Sequence, residues 1–415
     1  MSLGSAMYSG ISGLNVYGDA MNVTGDNIAN VNTIGFKGNR SIFSDILANQ
    51  VANGSTVMQF GRGSFFQAVT STFNQGSFET TGNATDLAIQ GAGFFVVKDP
   101  NSGGIFYTRA GQFTINKDGY LVNPTQHRVQ GYRMTMNTAG VYTKAGTASD
   151  IGITGLQSAP KETTFFRLGI NLNAAASAAT TFSSSFNVYN SLGEAATLTY
   201  TFTKSVTAGQ WTYVVSGPTG ATLGGAASGT VTFDSQGQMT APATDQTLTV
   251  SNFPSGAANL SLTWDLVNNL TSTPYNDITG YAAGSVTNSI VQDGYSTGVL
   301  LGLSVDSEGI VSGLFSNGQT QQLWQVELAD FLSPWGLSRQ GNTMFAETTQ
   351  SGQPIYGVAK ADGFGTVYGS SLELSNVDLS AQFVDMIQNQ RAFQANSRIV
   401  STVDDMMQEV VNLKR

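Results

Sequence analysis

The sequence predicts an α+β protein that is mostly β, with coiled-coil-like helical segments at both chain ends and two nested, discontinuous β-rich domains between them. Three observations support this prediction: heptad-type apolar spacing at each end, apolar–polar alternation through the middle, and a central stretch almost free of charge. Heptad spacing is typical of helices that pack on a partner, and alternation is typical of half-buried strands. The 415 residues are enough to bury several sizeable cores.

The N-terminal segment carries an apolar seam that predicts self-assembly through a helix. The seam consists of Met7, Ile11, Leu14, Met21 and Ile28, at steps of four, three, seven and seven. Glycines at positions 10, 13, 18 and 25 lie inside the segment, and each costs an isolated helix about 1 kcal/mol. We therefore expect a segment that becomes helical only against a partner and that ends near Asn30.

The C-terminal segment carries a matching seam, also predicted to serve self-assembly. Its members are Leu379, Phe383, Met386, Phe393, Ile399, Val403, Met406, Val410 and Leu413. No glycine or proline interrupts residues 379–415, which makes this the clearest helix in the sequence. Residues 375–378 offer candidate N-caps for it. Two separated seams do not by themselves show that the two ends pair with each other.

Between the ends the sequence predicts strands joined by hairpin turns. A turn pattern recurs at Asn116, Asp234 and Asp306, each with a glycine three residues later and strand-like residues on both sides. The pattern is similar to a calcium-binding loop. However, none of the three turns supplies the alternating oxygen ligands and the terminal glutamate that such a loop requires, so no metal site is predicted.

The order of these signals along the chain predicts a nested organisation. The stretch from about 146 to 284 is rich in Ala, Thr, Ser and Gly, which indicates a domain inserted into a parent domain. The predicted parts are terminal helices at 1–30 and 377–415, an extended connector at 31–70 and 360–376, an inner β-domain at 71–145 and 285–359, and an inserted outer β-domain at 146–284.

Composition argues against several classes of function. Charged residues make up 11% of the chain, against about 25% in an average protein, and the net charge is −9 with no basic cluster. Nucleic-acid binding is therefore not expected, because it depends on clustered cations. Membrane insertion is not expected either, since the sequence has no apolar run of about 20 residues.

The start of the chain and the absence of cysteine bear on export. The first Lys or Arg is Lys37, so the positively charged start of a cleaved secretory signal is missing. We expect any export to use another route. The sequence has no cysteine, so it predicts neither a disulfide framework nor thiolate chemistry.

No residue pattern indicates an enzyme. The single histidine, His127, stands in a predicted turn without a nucleophile elbow or a cysteine beside it in the sequence. The carboxylate pairs Asp404–Asp405 and Glu327 with Asp330 could in principle cleave glycosidic bonds, but nothing in the sequence supports that role. The glycine pairs at 61–63 and 91–93 lack the full phosphate-binding pattern, so no cofactor is predicted.

Three stretches of the sequence resemble the flagellar rod and hook family of axial proteins. They are residues 27–37, residues 374–398, and a third set at 86–95, 107–113 and 118–122. The signature positions are Asn27, Asn30, Asn32, Thr33, Gly35, Phe36, Lys37, Asn376, Asp378, Gln390, Arg391, Gln394 and Asn396. Phe393 departs from the family pattern, where tyrosine is usual, as does the turn at 123–127, where a glycine-bearing turn is more typical.

The large middle insertion and the stretches at 292–298, 313–320 and 344–352 resemble the hook members of that family rather than the rod members. The resemblance implies a structural subunit that self-assembles into a flexible tubular universal joint and transmits torque from rod to filament. Its terminal helices would form the inner tube, with the β-domains outside.

The resemblance also implies partners and a location. The partners would be other copies of the chain, the distal rod protein, the hook cap and hook–filament junction proteins, and the flagellar type III export apparatus. The location would be extracellular, in the hook of the bacterial flagellum. Two alternatives stay open: a distal rod or other axial subunit, and, in a different class, a β-rich surface adhesin.

Overall fold

The computed structural model describes residues 3–53, 56–137, 140–153, 155–268, 273–275 and 277–412. The prediction of a mostly β protein is confirmed, with 44% strand and 16% helix. The chain divides into two compact units. Unit 1 comprises Met1–Gly155, Leu303–Gly313 and Gln322–Arg415, and unit 2 comprises Leu156–Gly302 and Leu314–Gln321.

Helices lie near both chain ends, as the heptad spacing predicts. Among the described residues there are two α-helices, α1 (Leu3–Ala29) and α2 (Leu379–Asn412), and one short 3-10 helix, Pro334–Gly336. The two α-helices pack against each other in unit 1. They run antiparallel, because Gly10 faces Val400 whereas Asn27 faces Gln382.

The rest of unit 1 is built mainly from β-strands. They are Asn39–Asp45, Asn49–Asn53, Thr56–Phe60, Ser64–Ser71, Phe78–Thr80, Leu87–Gln90, Phe94–Lys98, Ile105–Thr108, Thr114–Ile115, Leu121–Val122, Arg128–Met136, Tyr142–Asp150, Leu328–Asp330, Ser338–Gly341, Met344–Ala346, Ile355–Gly357, Thr366–Gly369 and Ser371–Glu373. Three further strands, Gly298–Val305, Ile310–Phe315 and Thr320–Val326, have residues in both units.

The core of unit 1 lies on a sheet centred on the strand Phe94–Lys98, which is almost wholly buried. This strand pairs antiparallel with Ile105–Thr108 and with Arg128–Met136. Its Phe94 packs with Phe331 and Phe345 in one buried cluster. An apolar run at residues 94–97 is what a strand covered on both faces requires.

Two short antiparallel ladders follow α1 directly. Strand Asn39–Asp45 pairs with Ser64–Ser71, and Asn49–Asn53 pairs with Thr56–Phe60. Apart from Ser71, both ladders lie within 31–70, the segment expected to be an extended connector. Helix α1 packs on the first ladder, where the rings of Tyr17 and Phe43 are 6.1 Å apart.

Most of unit 2 consists of a six-stranded and a five-stranded sheet with a shared core. Its strands are Gln157–Ser158, Phe165–Asn171, Thr181–Tyr189, Ala195–Lys204, Gln210–Ser216, Thr222–Gly225, Ser228–Phe233, Met239–Ala241, Gln246–Ser251, Leu260–Trp264, Val267–Asn268, Thr273–Pro274, Ile278–Thr279 and Val286–Gln292. The core joins side chains from both sheets, including Trp211, Tyr200 and Trp264. In strand Ala195–Lys204 every second residue is buried, which is the alternation that a sheet with one core face needs.

The three predicted hairpin turns are confirmed. In each, the side chain of the first residue (Asn116, Asp234 or Asp306) accepts hydrogen bonds from the N–H groups two and four residues later. The glycine three residues on has a positive φ of 71° to 80°, a backbone conformation that disfavours other residue types. The side-chain oxygens of Asn116, Asp234 and Asp306 therefore accept hydrogen bonds from the backbone of their own turns.

Candidate self-assembly site

The contact between α1 and α2 is made by small and polar residues. A Cβ built on Gly10 would lie 3.0 Å from Val400, and one built on Gly13 would lie 2.7 Å from the amide of Asn396. The buried face of α1 continues through Val16, Ala20 and Thr24, all less than 6% exposed. The glycines that weaken α1 as an isolated helix therefore also allow the second helix to approach closely.

Polar contacts fix the register of the two helices. The Asn27 Nδ2 donates a hydrogen bond to Gln382 Oε1 at 2.9 Å, and the Asn389 Nδ2 lies 3.5 Å from Thr24 Oγ1. Asn27 also exchanges hydrogen bonds with the backbone of Asn39, at 2.7 and 2.8 Å. Asn27 therefore links α1 both to α2 and to the first strand that follows α1.

The predicted seam of α1 does not face α2. Its residues Ile11, Leu14, Met21 and Ile28 are half-buried, and Met7 is exposed. At about 100° per residue, this stripe lies about 110° round the helix from the face that packs on α2. Gly18 and Gly25 complete the same stripe, and nothing lies within 4 Å of a Cβ built on either of them.

The predicted seam of α2, unlike that of α1, is mostly exposed. Val403 is 3% exposed and Met386 is half-buried, so we infer that these two side chains face α1. The remaining described members are all at least 37% exposed: Leu379, Phe383, Phe393, Ile399, Met406 and Val410. Val384, Ile387, Met407 and Val411 add further exposed apolar area that the seam did not include. Leu413 lies outside the described residues.

The start of α2 is capped as residues 375–378 predict. The Asp378 Oδ1 accepts hydrogen bonds from the N–H groups of Ser380 and Ala381, at 2.8 and 3.3 Å. A side-chain acceptor at this position satisfies N–H groups that have no partner within the helix. Asp378 therefore fixes where α2 begins, six residues after the last residue of the strand Ser371–Glu373.

A buried charged cluster, centred on Glu373, joins both chain ends to the strands of unit 1. The Lys37 Nζ lies 2.6 Å from Glu373 Oε1, and the side chains of both residues are at most 1% exposed. The same oxygen accepts hydrogen bonds from Gln75 Nε2 at 2.7 Å and from the Gly76 N–H at 2.9 Å. The other oxygen, Oε2, lies 3.5 Å from the Arg109 guanidinium.

Burial dominates the electrostatics of this cluster. It lowers the pKa of Lys37 and of Arg109 from their ordinary values, and the charge of Glu373 opposes the shift in both cases. Arg109 donates in addition to the carbonyls of Ile89 and Gly91. One carboxylate between two buried cations is stable only if further hydrogen bonds satisfy the group, which the cluster supplies.

Backbone contacts draw the two signature stretches together at the same place. The Gly35 N–H donates to the Glu373 carbonyl at 2.8 Å. The Asn376 side chain accepts from the Gly38 N–H at 2.8 Å and donates to the Thr72 carbonyl at 2.7 Å. Phe36 is buried, with the Arg339 guanidinium 5.1 Å from its ring centroid.

The other signature positions fall into two groups. Asn30 and Thr33 shape the turn after α1, where the Thr33 hydroxyl donates to the Asn30 side chain at 3.1 Å, and Asn32 is exposed. Gln390, Arg391 and Gln394 are exposed on α2, whereas Asn396 faces Gly13. The structure therefore brings together Asn27, Gly35, Phe36, Lys37, Asn376 and Asp378 and leaves the exposed α2 positions outside that junction.

The residues considered for catalysis have ordinary structural contacts. The His127 Nδ1 lies 2.8 Å from the Thr125 hydroxyl within its turn. Glu327 is buried and accepts a hydrogen bond from the Tyr132 hydroxyl at 2.9 Å. Burial raises the pKa of Glu327, and the hydrogen bond from Tyr132 opposes this. Asp404 and Asp405 are exposed on α2.

Sequence reasoning missed Glu373, Gln75 and Arg109 as members of the junction. Arg109 and Glu373 each stood in or beside a stretch that resembles the flagellar family. One signal could have pointed to them. Charged residues make up only 11% of the chain, so a charged residue between strand residues indicates a buried ion pair. The partners themselves are hundreds of residues apart in sequence.

Within the part of the chain that the structure describes, no helix is long and apolar enough to cross a membrane. Among those same residues, no group of three or more His, Cys, Asp or Glu side chains is placed to hold a metal ion.

Family models match four parts of the chain. They are described as "Flagella basal body rod protein" at residues 7–37, "Flagellar hook protein FlgE/F/G D1 domain" at 88–176, "Flagellar basal body protein FlaE D2 domain" at 156–295, and "Flagellar basal body rod FlgEFG protein C-terminal" at 369–413. The two outer matches include α1 and α2 almost completely. The matches at 88–176 and 156–295 cover parts of the β-rich middle.

Relatives that match almost the whole chain are described as flagellar hook proteins. The chain is 32% identical to the flagellar hook protein FlgE of Borreliella burgdorferi, covering 99% of each chain. It is 34% identical to FlgE of Salmonella typhimurium, covering 97% of this chain and 98% of that one. It is 31% identical to FlgE of Escherichia coli, covering 99% and 100%.

Proposed function

Because the chain belongs to the flagellar hook protein FlgE family and is a structural subunit of the flagellar hook, we propose that the mostly exposed seam of α2 and the half-buried stripe of α1 bind neighbouring copies in the hook polymer. The family polymerises with itself as part of the flagellum. The proposal concerns which residues make that contact. They are the members of the two seams, apart from Val403 and Met386, which face α1 within the same chain.

The observation that carries the proposal is the exposure of α2. Phe383 is 47% exposed, Ile399 45% and Val410 52%, on a helix whose only buried residue in the described part is Val403. Many large apolar side chains exposed along one helix indicate an interaction site. Burying it contributes roughly 25 cal/mol per Å², which favours association of the helices with further copies.

The α1 stripe supports the same conclusion through its shape. Gly18 and Gly25 leave two positions without a side chain between Leu14 and Ile28, and both are open on the outside. A neighbouring helix can come closest to α1 at such positions, because no Cβ separates the backbones. The stripe would then combine apolar contacts with two points of close approach.

We further propose the nested division of labour that the sequence predicts. The helices at 1–30 and 377–415 would form the inner tube, with 31–70 and 360–376 as the connector. The segments 71–145 and 285–359 would form the inner β-domain, and 146–284 the outer one. The flexible joint between rod and filament, which transmits torque, would be built from these layers.

The finer partners and the location belong to the same proposal. The chain would contact the distal rod protein, the hook cap and the hook–filament junction proteins. It would reach the extracellular part of the flagellum through the flagellar type III export apparatus, without a cleaved signal peptide. We also propose that the chain is not an enzyme; the structural family of its relatives supports this.

A double substitution in α2 tests the assembly surface. Met406→Asp with Val410→Asp places two charges on the exposed side of α2, at residues 43% and 52% exposed, and leaves Val403 unchanged. We expect the variant to fold as the parent chain does and to fail to form polymers in sedimentation and electron microscopy, because a buried unpaired charge is costly. The control is Ser401→Asp, exposed on the opposite side of the same helix. Normal polymers from the double variant would contradict the proposal.

A further inference from the structure

We propose that α2 packs beside α2 of a neighbouring copy in the hook polymer in parallel and displaced by thirteen residues, so that Arg398 of one copy pairs with Asp385 of the next. The proposal rests on the assembly function proposed above and deepens it, because it gives the register of the contact between copies. It concerns α2 within the polymer and requires nothing of the chain ends before assembly.

The first support is a set of charged side chains on and just before α2 that have no ion-pair partner in their own chain. Four residues form the set, and all of them are exposed: Asp378, Asp385, Arg391 and Arg398. Among the residues that the structure describes, none of the four takes part in an ion pair. No acidic residue stands three or four positions before or after either arginine, which rules out the pairs that commonly form along one helix. These charges are therefore available to another copy.

The second support is the spacing of the two kinds of charge. Asp378 and Asp385 are seven residues apart. Arg391 and Arg398 are also seven residues apart, and each lies thirteen residues after one of the two carboxylates. Thirteen residues of α-helix span about 20 Å along the axis. Two parallel copies of α2 with this displacement therefore bring both arginines level with both carboxylates at once.

The same displacement gives no repulsion along the helices. It places Asp404 level with Arg391 of a neighbouring copy, which is a further pair of opposite charges. No two like charges within residues 378–412 come level with each other. The whole charge pattern of α2 therefore agrees with one displacement.

The third support is the direction in which the charges point. At about 100° per residue, the two carboxylates lie about 20° apart around the helix, and so do the two arginines, whereas the two pairs lie about 140° apart. A helix with such nearly opposite faces can meet one copy through its arginines and another copy through its carboxylates. Contacts of this kind are heterologous, and their repetition produces a helical polymer. Because every copy then enters the contact in the same direction, neighbouring α2 helices are parallel.

The carboxylates also line a groove that long side chains can enter. The groove belongs to unit 1 and has a volume of about 910 Å³, and its charged lining residues are Arg40, Asp378 and Asp385. Two carboxylates against one cation make it negative, which is complementary to the arginines of another copy. Exposed ion pairs add little affinity. We therefore assign the attraction between copies to the apolar stripes and the choice of displacement to these charges.

An exchange of charges in the full-length chain tests the register. Arg398→Asp should raise the concentration needed for polymerisation by at least about fivefold, because a carboxylate then faces Asp385 of the neighbouring copy. Asp385→Arg should have a similar effect, since two cations then face each other. The double variant Asp385→Arg with Arg398→Asp should polymerise as the parent chain does. Sedimentation and electron microscopy measure the polymer in each case.

The matched control is the double variant Asp385→Arg with Arg391→Asp. It has the same net charge as the parent chain, but at a displacement of thirteen residues both substituted positions come level with like charges. We expect it to polymerise as poorly as the single variants. Recovery in this control instead of the first double variant would indicate antiparallel helices and overturn the proposal. Equal polymerisation of the two double variants would overturn it as well.

Cross-linking measures the displacement without changing the sign of any charge. The chain has no cysteine, so chains with Asp385→Cys and chains with Arg398→Cys can be mixed in one polymer. A short bifunctional maleimide should link the two kinds of chain into dimers. Polymers of either chain alone should give no dimers, because equivalent thiols of neighbouring helices are about 20 Å apart along the axis. Dimers in those polymers, or none in the mixed polymer, would contradict the register.

These outcomes are distinct from failure of the apolar assembly surface. If Met406→Asp with Val410→Asp polymerises normally, while Asp385→Arg with Arg398→Asp is the only charge exchange that recovers polymerisation, the apolar surface is wrong and the register is correct. If the apolar-surface variant fails to polymerise and every charge variant polymerises as the parent chain does, the apolar surface is correct and the register is wrong.

Discussion

Gly13 of α1 and Asn396 of α2 lie so close that a Cβ on the glycine would be 2.7 Å from the carbon and the nitrogen of the asparagine amide. Gly13→Leu should therefore force the helices apart and destabilise the pair by about 1–3 kcal/mol. Gly18→Leu is the matched control, because nothing lies within 4 Å of a Cβ there, and it should stabilise α1 of the free chain by up to about 1 kcal/mol. Urea unfolding followed by far-UV circular dichroism compares them. Equal stability of the two variants would contradict the close contact.

Asp378→Ala should weaken the start of α2. The substitution removes the acceptor of two N–H groups in the first turn, which typically costs about 1 kcal/mol. Amide exchange at Ser380 and Ala381 should accelerate, while exchange near Val403 should change little. Asp385→Ala, at an exposed position further along the helix, should leave both regions unchanged. Unchanged exchange at Ser380 in the Asp378 variant would show that the cap is not formed.

Glu327→Gln should make unit 1 more stable near neutral pH. Burial raises the pKa of Glu327 above its ordinary value, so the folded state favours the protonated carboxyl and ionisation costs stability. In acid, below the ordinary glutamate pKa of about 4.3, the variant and the parent should unfold at similar urea concentrations. The gap should open as the pH rises from that value to the folded-state pKa and stay constant at higher pH. A stability difference between variant and parent that shrinks as the pH rises would contradict the raised pKa of Glu327.

Arg167→Met should destabilise unit 2. The guanidinium lies 2.7 Å from Asp265 and 3.5 Å from the ring centroid of Tyr275. Without it Asp265 loses its cation, at a cost of about 1–3 kcal/mol. Tryptophan fluorescence during urea unfolding, with Trp211 and Trp264 in the core of unit 2, measures the change. Lys161→Met is the control: its half-exposed ammonium pairs with Asp293, and such pairs contribute about 0–1 kcal/mol. Similar losses in both variants would argue against a special role for Arg167.

The helices at the ends, the β-rich middle and the three hairpin turns follow from the sequence, because each rests on local spacing. A heptad pattern can be recognised within one helix, and an apolar–polar alternation within one strand. The seam residues were identified as apolar stripes, but spacing could not say which way they face. Val403 is buried and Met406 is 43% exposed, although both belong to one series.

The contact that α1 makes with α2 could not be read from the seams. It is built from Gly10, Gly13 and Thr24, residues that periodicity analysis counts as interruptions. The same limit applies to the cluster around Glu373. Lys37 and Glu373 are 336 positions apart, and a single sequence contains no signal that pairs them. Long-range polar contacts of this kind become visible only when the fold brings the segments together.

The hydrogen bond from the Gly35 N–H to the Glu373 carbonyl also defines a topology. This hydrogen bond brings together the two ends of the segment 35–373, which we call the body. Helices α1 and α2, which we call the stem, lie outside that segment and pack against each other. A short peptide could therefore join position 35 to position 373 and yield a circular body without the stem. New termini could be opened at a surface turn such as 234–237. Stem and body are in that sense separable parts for protein engineering.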